Sequence, residues 1–404
     1  MRIALLHYAV PPVVGGVERV LAAQANLLAD AGHSVQVLAA RGEGWRNDIP
    51  VHLLPLADSM HPTILEIKVA LDAGLAPPAF ALVRDTLITA LAAALAGVDV
   101  LIAHNVASLN KNLPLTAALH ALTQQPAAPA LILWHHDLAW TTPRYRAELH
   151  DGMPWDLLRT DWPWATQVVI SAMRRDELAA LLGVPASRIH IVPNGVDVET
   201  FFKLDDETLP LVKQLDLLEP RPLLLLPVRL TPRKNIALAL HMLAHLRTHL
   251  PGARLLVTGP LGAHNPANAA YFAELRALRA TLQLDDAVIF LAEVYTGFVP
   301  DAVLADLYRF ADALFLPSRE EGFGIPLLEA ALNRLPIFCS DIPVLRELAG
   351  NDAHYFAPDA DPMQVAELVA GSLLAAPTVR FGLRARAATW QQVYKQHIAP
   401  LLDA

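Results

Sequence analysis

At 404 residues the chain has room for two domains of ordinary size, and its 54% apolar and 18% charged content describes well-filled cores with no disordered stretch. A net charge of −9 argues against a general nucleic-acid binder, which needs a basic face, and the single cysteine excludes a disulfide framework. That cysteine, Cys339 in the apolar run PIFCS, reads as core and suits a reducing cytoplasm.

The opening MRIALLHY lacks the apolar core and cleavage site of a signal peptide and reads as a first strand. Short apolar runs then alternate with helical patterns, the signature of parallel α/β sheets. In the first half the predicted strands are 2–7, 34–39, 98–103, 130–134 and 167–171, with a helix at 17–31 closed by Gly32. The most apolar helical stretch, 80–95, carries Arg84 and Asp85 and is short for a bilayer, so no transmembrane segment is expected. Peripheral contact with a membrane surface stays open. A strand at 188–191 leads into VPNGVD, whose Pro193, Asn194 and Gly195 mark the joint between domains. Beyond it the predicted strands are 223–228, 254–258, 287–291, 313–316 and 337–340, and a last helix at 387–402 places Trp390 and Tyr394 on one face.

In open α/β sheets the carboxyl ends of strands line the ligand crevice, so chemistry is sought there. Gly15 and Gly16 join the first strand to the first helix, without the spacing of a dinucleotide fingerprint; Glu18 reads as an ordinary first-turn acid. His104 and Asn105 end another strand and are acceptor-pocket candidates. His135, His136 and Asp137 follow the next, and Asp137 is a further acceptor candidate. Adjacent strand residues point to opposite faces, so at most one of the two histidines faces the crevice, and a metal reading fails for want of a third ligand. The tryptophans from Trp140 to Trp164 read as packing rather than a sugar platform.

Two later segments carry the strongest signals. In VRLTPRKN, Thr231 is placed to cap and Pro232 to begin a helix, so Arg229, Arg233 and Lys234 crowd a helix start. Cations belong at the other end of the dipole, and a bound anion removes the conflict. In LFLPSREEGFGIPLLEA a buried strand ends at Pro317, and Gly322 and Gly324 lead to a helix begun by Pro326. Glu321 and Glu329 bracket this anion-receiving loop. Carboxylates there make sense if the ligand also brings vicinal hydroxyls, as a sugar diphosphate does. The one Asp-x-Asp pair, Asp359 and Asp361, precedes a helix and reads as turn and cap, so no metal is expected.

The string EEGFGIPLLEA, with Arg229–Lys234 and the glycine pair, resembles the retaining, nucleotide-sugar-dependent glycosyltransferases of the GT-B class, which include sucrose synthase and bacterial mannosyl and glucosyl transferases. The resemblance covers most of both halves. It implies two Rossmann-like domains facing across a cleft, 1–196 on the acceptor side and 197–384 on the donor side, with 385–404 crossing back. It also implies that Arg229 and Lys234 grip a leaving diphosphate and that Glu329 holds the ribose. Glu321 would hold the transferred hexose, and the backbone of Gly322, Phe323, Gly324 and Ile325 would surround sugar and phosphate. Gly15, Gly16 and Asn194 would lie by the donor, one of His135 and His136 would contact the donor sugar, and the joint at Asn194–Gly195 would allow closure. Glu293 and Val294 stand where the family binds the base; Glu293 replaces its usual glycine, and with the segment TGPLGAHNPANAAY leaves base identity open.

The reading is hexosyl transfer from a nucleoside-diphosphate sugar to a small solute, saccharide or lipid-linked sugar, with no cofactor. Another GT-B enzyme (an epimerase or phosphorylase) or a non-catalytic sugar-nucleotide binder are the alternatives. A dehydrogenase is disfavoured for want of a dinucleotide fingerprint.

Overall fold

Apolar runs of the kind that strands buried on both faces require become the rows of two all-parallel sheets. The computed structural model describes residues 1–219, 221–260, 267–295 and 299–403. Within it the chain divides into two units, one of Met1–Gly195 with Trp390–Ala404, the other of Val196–Thr389.

The first unit holds β1 (Arg2–Leu6), β2 (Ser34–Ala39), β3 (Val51–Leu53), β4 (Val100–His104), β5 (Ala130–His135), β6 (Ala165–Val169) and β7 (Ile189–Ile191), in the order β3-β2-β1-β4-β5-β6-β7. The second holds β8 (Leu223–Leu226), β9 (Arg254–Val257), β10 (Val288–Phe290), β11 (Ala313–Leu316), β12 (Ile337–Ser340) and β13 (His354–Phe356), in the order β10-β9-β8-β11-β12-β13. Both are doubly wound. The direction of winding reverses between β1 and β4 in one sheet and between β8 and β11 in the other, and ligands bind at such reversals.

Two strands, β3 and β13, are additions to the predicted set. Each is a three-residue edge with exposed positions, too short and too polar to show a pattern. Other strands keep their place with shifted ends; β6, for example, starts at Ala165 because its register with β5 begins there. The last helix differs more. A helix Pro377–Ala387 ends first, the chain extends so that Thr389 bridges Val196, and helix resumes at Trp390 with one π turn at Tyr394–Ile398. Val393, Ile398 and Leu402 then join the core of the first unit beside Ile3, Leu5 and Leu21.

Trp155 and Trp162 are buried in that unit, as packing requires, whereas Trp164 keeps one surface exposed. Cys339 is buried and its thiol is pushed up to about 12 by desolvation. Among the described residues no single helix is long and apolar enough to cross a membrane.

Candidate functional site

In the second unit the loops after β8 and β11 meet at the winding reversal. Their backbones are tied directly, for the amide of Arg319 donates to the carbonyl of Arg233 (2.8 Å) and the Arg233 guanidinium donates to the carbonyl of Glu320 (3.2 Å). Between them Lys234 Nζ donates to Glu321 Oε1 at 2.5 Å, with side chains only 10% and 8% exposed. Two charges so withdrawn from water are tolerable because each is the other's partner.

This corrects the picture of three free cations at a helix start. Pro232–Lys234 is a short 3-10 turn, Asn235 follows in the left-handed region (φ 55°), and the helix proper is Ile236–His249. Thr231 does not cap it: its hydroxyl is buried with no partner among the described residues. Lys234 is neutralised by Glu321 and Arg233 is engaged by a carbonyl, while Arg229 is exposed and has no side-chain partner among the described residues.

After β11 the chain reaches Gly324 at φ 100°, where an added Cβ would sit 2.6 Å from Leu345 Cδ2; both conformation and space demand glycine. A Cβ on Gly322 would meet nothing within 4 Å, so no contact within the described chain accounts for that glycine. The helix Ile325–Leu332 takes Pro326 as its second residue rather than its first. Phe323 and Ile325 are exposed at its start. One turn on, Glu329 Oε2 accepts a 2.5 Å hydrogen bond from the hydroxyl of Tyr308, a residue that no local pattern singles out.

Beside them, a Cβ on Gly259 after β9 would fall 1.9 Å from the carbonyl oxygen of Val228, so the β9 loop lies against the backbone that presents Arg229. Glu293, at the end of β10, has both carboxylate oxygens on Arg279 (2.6 and 3.1 Å), and Val294 next to it is exposed. Residues 261–266, within TGPLGAHNPANAAY, lie outside the described residues. Asp361 caps the helix Pro362–Ala375 by accepting from the amide of Met363 (3.0 Å), as its sequence position implies.

The first unit carries a second cluster, at its own winding reversal. His7 follows β1, and its Nδ1 donates to the carbonyl of His104 at 2.9 Å. That bond turns Nε2 toward Glu18, 3.8 Å away. Glu18 is no ordinary surface acid, for its carboxylate folds back over Gly15, where a Cβ would be 2.0 Å from Oε2. Gly15 is the extended residue before the helix Gly16–Asp30 and Gly16 is its first residue.

His104 is fully buried and shares a 3.1 Å hydrogen bond with His136 through Nδ1 and Nε2. Asn105, at φ 58°, accepts through Oδ1 from the amides of His136 (2.8 Å) and Asp137 (3.3 Å). His104 and Asn105, the acceptor-pocket candidates, lie beneath the surface, where Asn105 shapes the loop that carries His136.

His135 is corrected for a similar reason. Its Nε2 donates to Gln167 (2.8 Å) and its Nδ1 accepts from the Ser108 hydroxyl (2.7 Å), so both ring nitrogens are spent inside the domain. Burial holds His135 down at about 4; burial, with the neighbouring His7 and His135, holds His136 at about 3. Desolvation also lowers His7 and His104, and all four rings are uncharged near neutral pH. Asp137 is partly exposed and pairs with Arg174 at 3.5 Å. Asn194, in the inter-unit segment, is exposed.

Comparison with known proteins covers both units. A family model described as Glycosyltransferase Family 4 matches residues 14–200, and one described as Glycosyl transferases group 1 matches residues 210–381. A serotype-specific mannosyltransferase of Escherichia coli is 45% identical over 71 residues, 18% of this chain and 9% of that one. A D-inositol 3-phosphate glycosyltransferase of Xylanimonas cellulosilytica is 31% identical over 248 residues, 59% of this chain and 56% of its own. Glycogen synthase of Mycobacterium tuberculosis is 27% identical over 377 residues, covering 87% of this chain and 80% of that one. The chain thus spans less than two thirds of the length of the first two. Among solved structures, sucrose-phosphate synthase of Thermosynechococcus elongatus aligns with 100% of this chain and 98% of its own at 17% identity and a TM-score of 0.40.

Proposed function

Since this chain belongs to the GT-B glycosyltransferases, we propose that it moves a hexose from a nucleoside diphosphate to an acceptor hydroxyl, with retained anomeric configuration and no required metal. The contact between Lys234 and Glu321 supports this most. It sets a cation and a hydroxyl acceptor side by side at the reversal between β8 and β11, where a sugar phosphate presents the complementary pair of groups.

In this reading Lys234 and Arg229 offset the charge that grows on the diphosphate as the glycosidic bond breaks. Glu321 accepts from hydroxyls of the hexose, Glu329 from the ribose, and the amides of Phe323, Gly324 and Ile325 surround sugar and phosphate. Glu293 and Val294 line the base. In the first unit Gly15, Gly16 and His136, rather than His135, stand at the winding reversal where a ligand would bind. The acceptor oxygen attacks the anomeric carbon on the face the phosphate leaves, and its proton passes to the departing phosphate oxygen. The protein supplies position and charge.

A thermal-shift screen against UDP-, GDP- and ADP-sugars tests the reading, because a ligand that binds only the folded state raises the melting temperature. One donor class should raise it, and product analysis should show the donor's anomeric configuration kept. No shift with any of the three removes the proposal. An inverted linkage removes retention, and activity lost in chelator but restored by magnesium or manganese removes metal independence.

A further inference from the structure

Tyr308 lies on the helix Asp301–Phe310, which carries the chain from β10 back to β11, and is only 1% exposed. A buried tyrosine hydroxyl needs an acceptor, and a backbone carbonyl would serve without bringing a charge inward. This one instead donates to Glu329 Oε2 at 2.5 Å. The other oxygen, Oε1, has no protein partner among the described residues. Desolvation and the adjacent carboxylate push the Tyr308 phenol far up, so the proton stays on the phenol.

A carboxylate on a three-bond stem ordinarily turns about its last torsion. Fixing one oxygen fixes the direction of the other. Two neighbouring hydroxyls can be read as a pair only by an acceptor whose plane is held.

We infer that Tyr308 is a positioning residue for nucleotide recognition: by holding Oε2 it orients Glu329 toward the adjacent ribose hydroxyls and makes the contact between these two helices the selector of ribo- over deoxyribonucleotides. The inference rests on the proposed function and deepens its donor site.

The full chain is titrated with UDP, GDP and ADP, and then with the 2′-deoxy counterpart of whichever binds. Wild type should prefer the ribonucleotide by roughly ten-fold or more, the loss expected for a hydrogen bond to a charged group. In Tyr308→Phe, which keeps the ring in the core, the preference should fall to within about three-fold while affinity for the deoxynucleotide stays level. Combining it with Glu329→Gln should cost nothing further. A variant that keeps the wild-type ratio, or loses both ligands equally, overturns the inference and leaves the proposed function standing. Should Tyr308→Phe not fold, Glu329→Asp reads the same contact, because the shorter carboxylate cannot span tyrosine and ligand; an undiminished preference there overturns it too. Wild type that binds none of the three diphosphates removes the proposed function itself.

Discussion

Lys234 and Glu321 face each other across 2.5 Å with little water around either, so each is both a reagent of the proposed reaction and the counter-ion of the other. That double duty separates two experiments. Lys234→Ala should lower turnover by ~10²–10³-fold, and should also lower the melting temperature because a buried carboxylate is left alone, a cost of ~3–5 kcal/mol. Adding Glu321→Gln should recover most of the melting temperature and none of the turnover. Recovery of both would show the lysine to be structural only. Glu321→Gln by itself frees the amine for phosphate, so affinity for the free nucleoside diphosphate should rise while sugar transfer falls; weakened diphosphate binding would contradict the competition. The charged residues of this site were legible because Arg, Lys and Glu beside a glycine loop are chemically pointed. Tyr308 was not, since one tyrosine in an amphipathic helix looks like any other core residue until its hydroxyl finds Glu329.

Among elements, the carboxyl ends of β1, β4 and β5 assemble His7, His104, His135 and His136, and their burial makes a pH prediction with a definite sign. His135 and His136 are held at about 4 and about 3, below the usual 6.5, so on acidification the unfolded chain takes up protons first. Their contribution is present above about 6.5 and lost as pH falls toward those folded values. The melting temperature of the first unit should therefore drop progressively below pH 6.5, and His136→Asn should flatten the decline. A flat wild-type profile between pH 6.5 and 4 would contradict the buried, neutral state. Adjacent positions on one strand already implied that His135 and His136 could not both face outward. Which one turns inward was decided by Ser108 and Gln167, residues 27 and 32 positions away. The β9 loop makes a second case. Gly259→Ala would drive a methyl into the Val228 carbonyl, so a loss of ~1–3 kcal/mol and weaker diphosphate binding are expected, read by melting temperature and titration.

For the whole molecule, the division into units is discontinuous in sequence: the last fifteen positions, 390–404, belong with the first unit. Val393, Ile398 and Leu402 fill its core, and Tyr394 shares a hydrogen bond with His33 (3.3 Å). Truncation after Thr389 should lower the melting transition of the first unit and leave that of the second in place. Loss of both transitions together would show the second unit to depend on the tail. The second unit has a contiguous core of its own, from Leu211 to Leu373. A fragment of 196–389 should therefore fold alone and bind nucleoside diphosphate.

The sequence by itself determined the α/β class, the alternation of strand and helix, and the two charged loops of the donor-side unit. Each of these is written locally, in apolar runs, glycines and charges at fixed spacing. Edge strands β3 and β13, the break at Thr389, the inward turn of His104 and His135, and the pairing of Lys234 with Glu321 were decided only by tertiary structure. The reason is physical. A side chain's partner is set by which strand ends and loops the sheet order brings together, and those partners lie tens of positions apart in the chain, beyond the reach of any local pattern.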